Sequence, residues 1–181
     1  MKKILTVSMI AVLAGCQQIP TKPETVAVIA PEPIKVKSTK YSKVLLEAEN
    51  KATPEGRKVL ATGREMALIN RAVIKGSCWD YANAVFERAG YPYQGKRAVI
   101  MHNRSSDPLA VNFKSIQPGD FLSYVNHSFN DIKHSAIFVD WIDFDKKIGL
   151  MLSYAGQNRK EPARYKPYDL SDVYYVARAR T

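Results

Sequence analysis

Gly76-Ser77-Cys78-Trp79-Asp80-Tyr81-Ala82-Asn83-Ala84-Val85-Phe86-Glu87-Arg88-Ala89-Gly90 is the stretch whose reading decides the fold. Trp79, Ala82, Val85, Phe86 and Ala89 recur at helical spacing and Gly90 ends the run, which predicts an amphipathic helix. Ser77 supplies an N-cap hydroxyl, and Asp80 three residues on makes a shortened capping box. Cys78 then falls in the first helical turn, where unpaired amides and the helix dipole favour an anion. A thiol there is expected to ionise below its usual range and to act as a nucleophile near neutral pH. The competing expectation is a core thiol, because free cysteine often packs as a small hydrophobe.

The chain holds two cysteines, and the other, Cys16, belongs to a different piece of chemistry. Lys2 and Lys3 precede an apolar run from Ile4 to Ala14, and Leu13-Ala14-Gly15-Cys16 closes it. That pattern predicts a secretion signal over residues 1–15 and lipid attachment at Cys16. Gln17 after it, in place of aspartate, points to the outer membrane facing the periplasm. Residues 16–40 carry Pro20, Pro23, Pro31 and Pro33 among polar residues and read as a tether. Residues 41–181 are long enough for one domain with its own core. Cys78 is left there without a disulfide partner.

The formal charge is +10, and removal of the first fifteen residues leaves +8. In a cytosolic protein such a balance would suggest nucleic acid. A lipid-anchored envelope protein instead meets lipid head groups and the carboxylates of peptidoglycan, so no nucleic-acid partner is expected. No paired-cysteine motif, His-Glu-x-x-His or phosphate-binding glycine loop occurs, and neither a metal nor a cofactor is expected.

Thr53-Pro54-Glu55 reads as a helix start, continued by Val59, Leu60, Met66, Ile69 and Val73. After the Cys78 helix come short apolar runs: Arg97–His102, Val111–Ser115, Asp120–Val125, His134–Phe144, Leu150–Ala155 and Tyr174–Ala179. Gln117-Pro118-Gly119-Asp120 reads as a turn into a strand, and Lys146-Lys147 as the centre of a hairpin. The segment from Pro162 to Pro167 reads as a surface loop in which Arg164 could meet an acidic substrate. Helices followed by closely connected strands imply an α+β domain with an antiparallel sheet.

A cysteine nucleophile needs a base, and the base needs a group that holds its tautomer. Of His102, His127 and His134, the last opens an apolar strand beside the small residues Ser135 and Ala136, which leaves room for a helix end. His134 is therefore the preferred base. A hairpin centred on Lys146-Lys147 sets Gln157 opposite Ala136, and a turn longer by one residue sets Asn158 there. Gln157 is taken as the orienting group, with Ser153, Tyr154 and Asn158 as the other polar groups near it. Tyr81, one turn into the helix, is a candidate for lining the substrate cleft or for packing against it.

The order of helix-starting Cys78, Pro118-Gly119-Asp120 before a strand, and strand-opening His134 resembles the NlpC-type cell-wall cysteine peptidases. These stand beside the CHAP amidase-like domains in the papain-like superfamily. The resemblance covers about Ile74 to Ala155. It implies a papain-like (NlpC-type) α+β fold with N-terminal helices packed on a central antiparallel sheet. It further implies a Cys78 nucleophile, a His134 base and an oxyanion site that includes the Cys78 amide. Ser77 stands where the family has aspartate, and Trp79-Asp80 where it has serine-glycine. The implied activity is hydrolysis of peptidoglycan amide bonds, within stem peptides or between sugar and peptide. The alternatives are acyl transfer or another amidase activity on the same pair, and a non-catalytic lipoprotein that binds peptidoglycan or a protein.

Overall fold

The computed structural model describes residues 40–103 and 111–181, so Cys16 and the signal segment lie outside the described residues. Three α-helices precede the six strands: α1 (Ser42–Lys51), α2 (Pro54–Arg64) and α3 (Cys78–Arg88). The strands are β1 (Arg97–His102), β2 (Phe121–Asn126), β3 (Ile132–Asp143), β4 (Ile148–Ser153), β5 (Arg164–Asp169) and β6 (Val173–Ala179). They form one six-stranded sheet in the order β1-β6-β2-β3-β4-β5. Every neighbouring pair is antiparallel. The α+β class expected from the order of helical and strand patterns is present. Among the described residues no helix is long and apolar enough to cross a membrane.

Local chemistry accounts for the helices. Thr53 Oγ1 accepts from the Gly56 amide at 3.1 Å and Pro54 stands at the first helical position. The α2 pattern does not run unbroken to Val73, because a π-helical turn over Glu65–Ile69 ends it. Helix α1 carries no clear sequence signal; Leu45 and Ala48 are its buried residues, while Leu46 stays exposed. The run Val111–Ser115 is not a strand either, and a short 3-10 turn occupies Phe113–Ser115.

Both faces of the sheet are covered. The helices pack Val59, Leu60, Val85 and Phe86 against Phe121, Ile137, Val139 and Leu152. The opposite face buries Leu122, Tyr124, Phe138, Met151, Leu170 and Val176. Double burial explains why the central strands read as apolar runs instead of clean alternation. The segment expected to be a loop after Pro162 is the edge strand β5, paired only with β4. Pro167 is compatible with that place, since an edge strand tolerates a missing donor.

The turn before β2 locks this packing. Gly119 adopts φ +93°, and a Cβ there would lie 2.5 Å from the Gly56 Cα, so α2 and the turn meet backbone to backbone. Asp120, fully buried, accepts from Arg178 Nε at 2.7 Å and Nη2 at 2.7 Å, and from the Gln117 amide at 2.8 Å. Burial pushes the Asp120 carboxyl up, while Arg178 and Gln117 pull it back down. Arg178 also donates to Ser115 O. The pair therefore ties β6 to the turn that launches β2. Arg178→Met should lower stability by roughly 3–5 kcal/mol in urea denaturation, because it strands a buried carboxylate. Adding Asp120→Asn to that variant should restore a large part of the loss.

Candidate active site

The start of α3 is held from both sides. Asp80 Oδ2 accepts from the Ser77 amide and from Ser77 Oγ, each at 2.7 Å, so the shortened capping box is formed. Ahead of it, Tyr154 Oη donates to Ile74 O at 2.7 Å. Gly76, at φ +109°, donates its amide to Gln157 Oε1 at 2.7 Å and accepts from the Gln157 amide at 2.9 Å. The loop after β4 thus clamps Ile74 and Gly76, just ahead of Cys78.

The sulfur itself is held by the sheet. Ser135 donates its backbone N–H to Cys78 Sγ at 3.4 Å. Phe138 makes its main-chain bonds to Asp120 and Gly119 on the β2 side. Strand alternation then turns the Ser135 N–H toward β4. The last β3–β4 partners are Ala136 and Ser153, so β4 has departed before it reaches Ser135. Cys78 occupies the hydrogen-bonding position that β4 vacates, level with the backbone of β3.

His134 is the next residue. Its side chain turns to the face opposite the helices, edge-on to Tyr124 at 5.6 Å between ring centroids and tilted against Tyr168 at 5.8 Å. His134 Nε2 lies 2.8 Å from Ser153 Oγ, which lies 3.0 Å from Tyr168 Oη. Ser153 is the diagonal cross-strand neighbour of His134, being directly opposite Ala136. With Nε2 engaged by Ser153, Nδ1 is the other ring nitrogen. Cys78, His134, Ser153 and Tyr168 all line one cavity of about 800 Å³.

No protein-family model, curated protein or solved structure matches this chain.

Two expectations are corrected by this geometry. Gln157 does not orient the imidazole; it holds the backbone before Cys78, and Ser153 contacts the ring on Nε2 instead. The hairpin register explains the change. Its turn is centred one residue before Lys146-Lys147, and β3 carries two bulges, between Phe138 and Asp140 and between Trp141 and Asp143. Together they slide the partner of Ala136 from position 157 to 153. Tyr81 does not line the cavity. It is buried in the core, stacked on Tyr154 at 4.7 Å, because its place one turn into α3 faces the sheet.

The remaining histidines are engaged elsewhere. His127 Nδ1 lies 2.7 Å from Asp131 and its Nε2 2.8 Å from Asp172. His102 meets the Tyr175 ring edge-on at the end of β1. Among the described residues no group of three His, Cys, Asp or Glu side chains is placed to hold a metal ion. The sequence gives no signal for Tyr168, because the proline-bounded segment Pro162 to Pro167 before it has the character of a loop. The register of β5 against β4 sets Tyr168 opposite Gly149, and its hydroxyl reaches along the sheet to Ser153 Oγ.

The electrostatics also depart from expectation. Burial pushes the Cys78 thiol up, and the Asp80 charge adds to that. The backbone N–H groups of Ser135, Trp79 and Cys78 pull in the other direction without overcoming burial. Helix-end stabilisation, typically below about 1 kcal/mol at exposed ends, is a small term beside desolvation. Burial also moves the His134 imidazole from 6.5 down to about 4. At neutral pH the thiol and the imidazole are therefore both uncharged, and the imidazole has a lone pair for a proton.

Because the unfolded chain binds this proton near 6.5 and the fold only near 4, His134 supports full stability above 6.5. As pH falls from 6.5 to 4, up to roughly 3 kcal/mol should be lost. His134→Gln should flatten that part of the profile in urea denaturation series across this range. Parallel profiles for the two proteins would contradict a buried neutral imidazole.

Proposed function

We propose that this chain is a lipid-anchored cysteine hydrolase of peptidoglycan amide bonds, with a papain-like, NlpC-type site. The observation that carries the reading is one cavity lined by Cys78 at the first turn of α3 and by His134 with Ser153 on its Nε2. The cavity also presents Lys133, Arg159, Arg164 and Lys166, against Asp80 and Glu161, which suits substrates bearing free carboxylates. The Pro-rich tether and lipidated Cys16 would hold the domain at the outer membrane, facing the wall in the periplasm.

In the proposed reaction the Cys78 sulfur attacks the amide carbonyl carbon while His134 Nδ1 takes the thiol proton. Since both groups are neutral at rest, that proton moves during attack and not before it. The Cys78 amide donates to the developing oxyanion. Collapse expels the amine, which leaves with the proton from His134, and a thioester remains. Water then attacks the thioester, His134 accepts its proton, and the carboxylate product departs as the thiol is restored. For Nδ1 to accept, Nε2–H must donate to Ser153 Oγ, so Ser153 and Tyr168 act as positioning residues for the tautomer.

The protein and its Cys78→Ala variant should differ completely when incubated with purified sacculi, with soluble muropeptides appearing only from the former. Equal release by the two would rule the mechanism out.

A non-catalytic lipoprotein that binds peptidoglycan is the second reading, favoured by the raised Cys78 thiol. It is separated from the first by alkylation kinetics across pH. A working site should show Cys78 alkylation that slows when His134 is replaced by Gln. An unchanged rate, or resistance to labelling in the folded protein, would favour the binder.

A further inference from the structure

A second cleft, of about 210 Å³, opens on the helix side of the sheet between α3, β1 and β6. Trp79, Tyr93, Tyr174 and Tyr175 line it, and Trp79 and Tyr93 remain 50% and 61% exposed. Arg97 is fixed in its wall. Its Nε donates to Tyr91 O at 2.8 Å, Nη1 donates to Asn83 Oδ1, and the guanidinium lies 4.6 Å from the Phe86 ring centroid and 5.7 Å from that of Tyr93. Arg97 Nη2 is buried without a partner among the described residues.

The cleft abuts the site described above. Cys78 lines the larger cavity while the next residue, Trp79, lines the cleft. The Tyr174 phenol is close enough to Cys78 that a charge on the sulfur would oppose its ionisation. We infer that this cleft is a sugar subsite, taking one pyranose ring of a glycan whose attached peptide lies across Cys78 into the basic cavity.

Three features select that occupant. Exposed aromatic faces offer flat apolar area to the C–H face of a sugar ring without demanding a charged ligand. The hydroxyls of Tyr93, Tyr174 and Tyr175, which line the cleft, can pair with hydroxyl or acetamido oxygens. The space is below the range of drug-sized ligands and far below a protein interface, so it suits a single ring. The substrate class that follows, a glycan-linked peptide in place of a free one, rests on the hydrolase reading; sugar binding does not.

The test uses the full chain carrying Cys78→Ala, so that binding is measured without turnover. A disaccharide–peptide, the same peptide without sugar, and di-N-acetylchitobiose are titrated by calorimetry and tryptophan fluorescence. The disaccharide–peptide should bind at least tenfold more tightly than the free peptide, and chitobiose should perturb the fluorescence. Trp79→Ala should abolish the tenfold difference while leaving free-peptide affinity unchanged. Tyr93→Ala, at a more exposed position, gives the same readout if the first variant does not fold. Equal affinity for the two peptides, or a preference that survives both substitutions, would overturn the subsite. A preserved preference in a chain whose Cys78 form cleaves neither peptide would sink the hydrolase and leave the subsite standing.

Discussion

Everything at the candidate site depends on one main-chain donor that a strand leaves behind. β4 departs from β3 after Ser153, and the Ser135 N–H would otherwise face an empty edge. The Cys78 sulfur takes that donor. An unpaired buried amide costs free energy comparable to a lost hydrogen bond, so the departure of β4 and the arrival of α3 are coupled. The same departure releases the chain to form the loop whose Gln157 and Tyr154 hold Ile74 and Gly76. The placement of Cys78 is thus a property of the sheet edge as much as of the helix.

Burial sets the protonation states of the site. His134 sits among Tyr124, Tyr168 and Ser153 with no acidic partner, so desolvation has no opposing attraction and keeps the ring neutral. His127 shows the contrast. It is far more exposed and lies between Asp131 and Asp172, whose carboxylates hold its pKa up. Two histidines of one chain are therefore shifted in opposite directions by their surroundings.

The hairpin between β3 and β4 shows how a local irregularity decides chemistry. Alternation along β4 assigns its residues to faces, but two bulges in β3 change which of them meets Ala136. Had the ladder been regular and centred on Lys146-Lys147, a loop amide would have met the imidazole. With the bulges, a serine hydroxyl meets it and hands the contact on to Tyr168. The imidazole is consequently backed by two hydroxyls in line, Ser153 and Tyr168.

Much of this protein was legible in its residues. Capping chemistry located the Cys78 helix, since Ser77 and Asp80 interact within one turn and need nothing distant. Apolar runs bounded by turns located β1, β2, β3, β4 and β6 for the same local reason, and they put His134 on β3, although the strand starts two residues before it, at Ile132. What tertiary structure alone decided were quantities that depend on partners far along the chain. They include the register that selects Ser153 over Gln157, the edge position of β5 that supplies Tyr168, and the inward face that buries Tyr81. The raised thiol belongs with them, because a helix end is written in neighbouring residues while desolvation is imposed by whatever the fold packs above it.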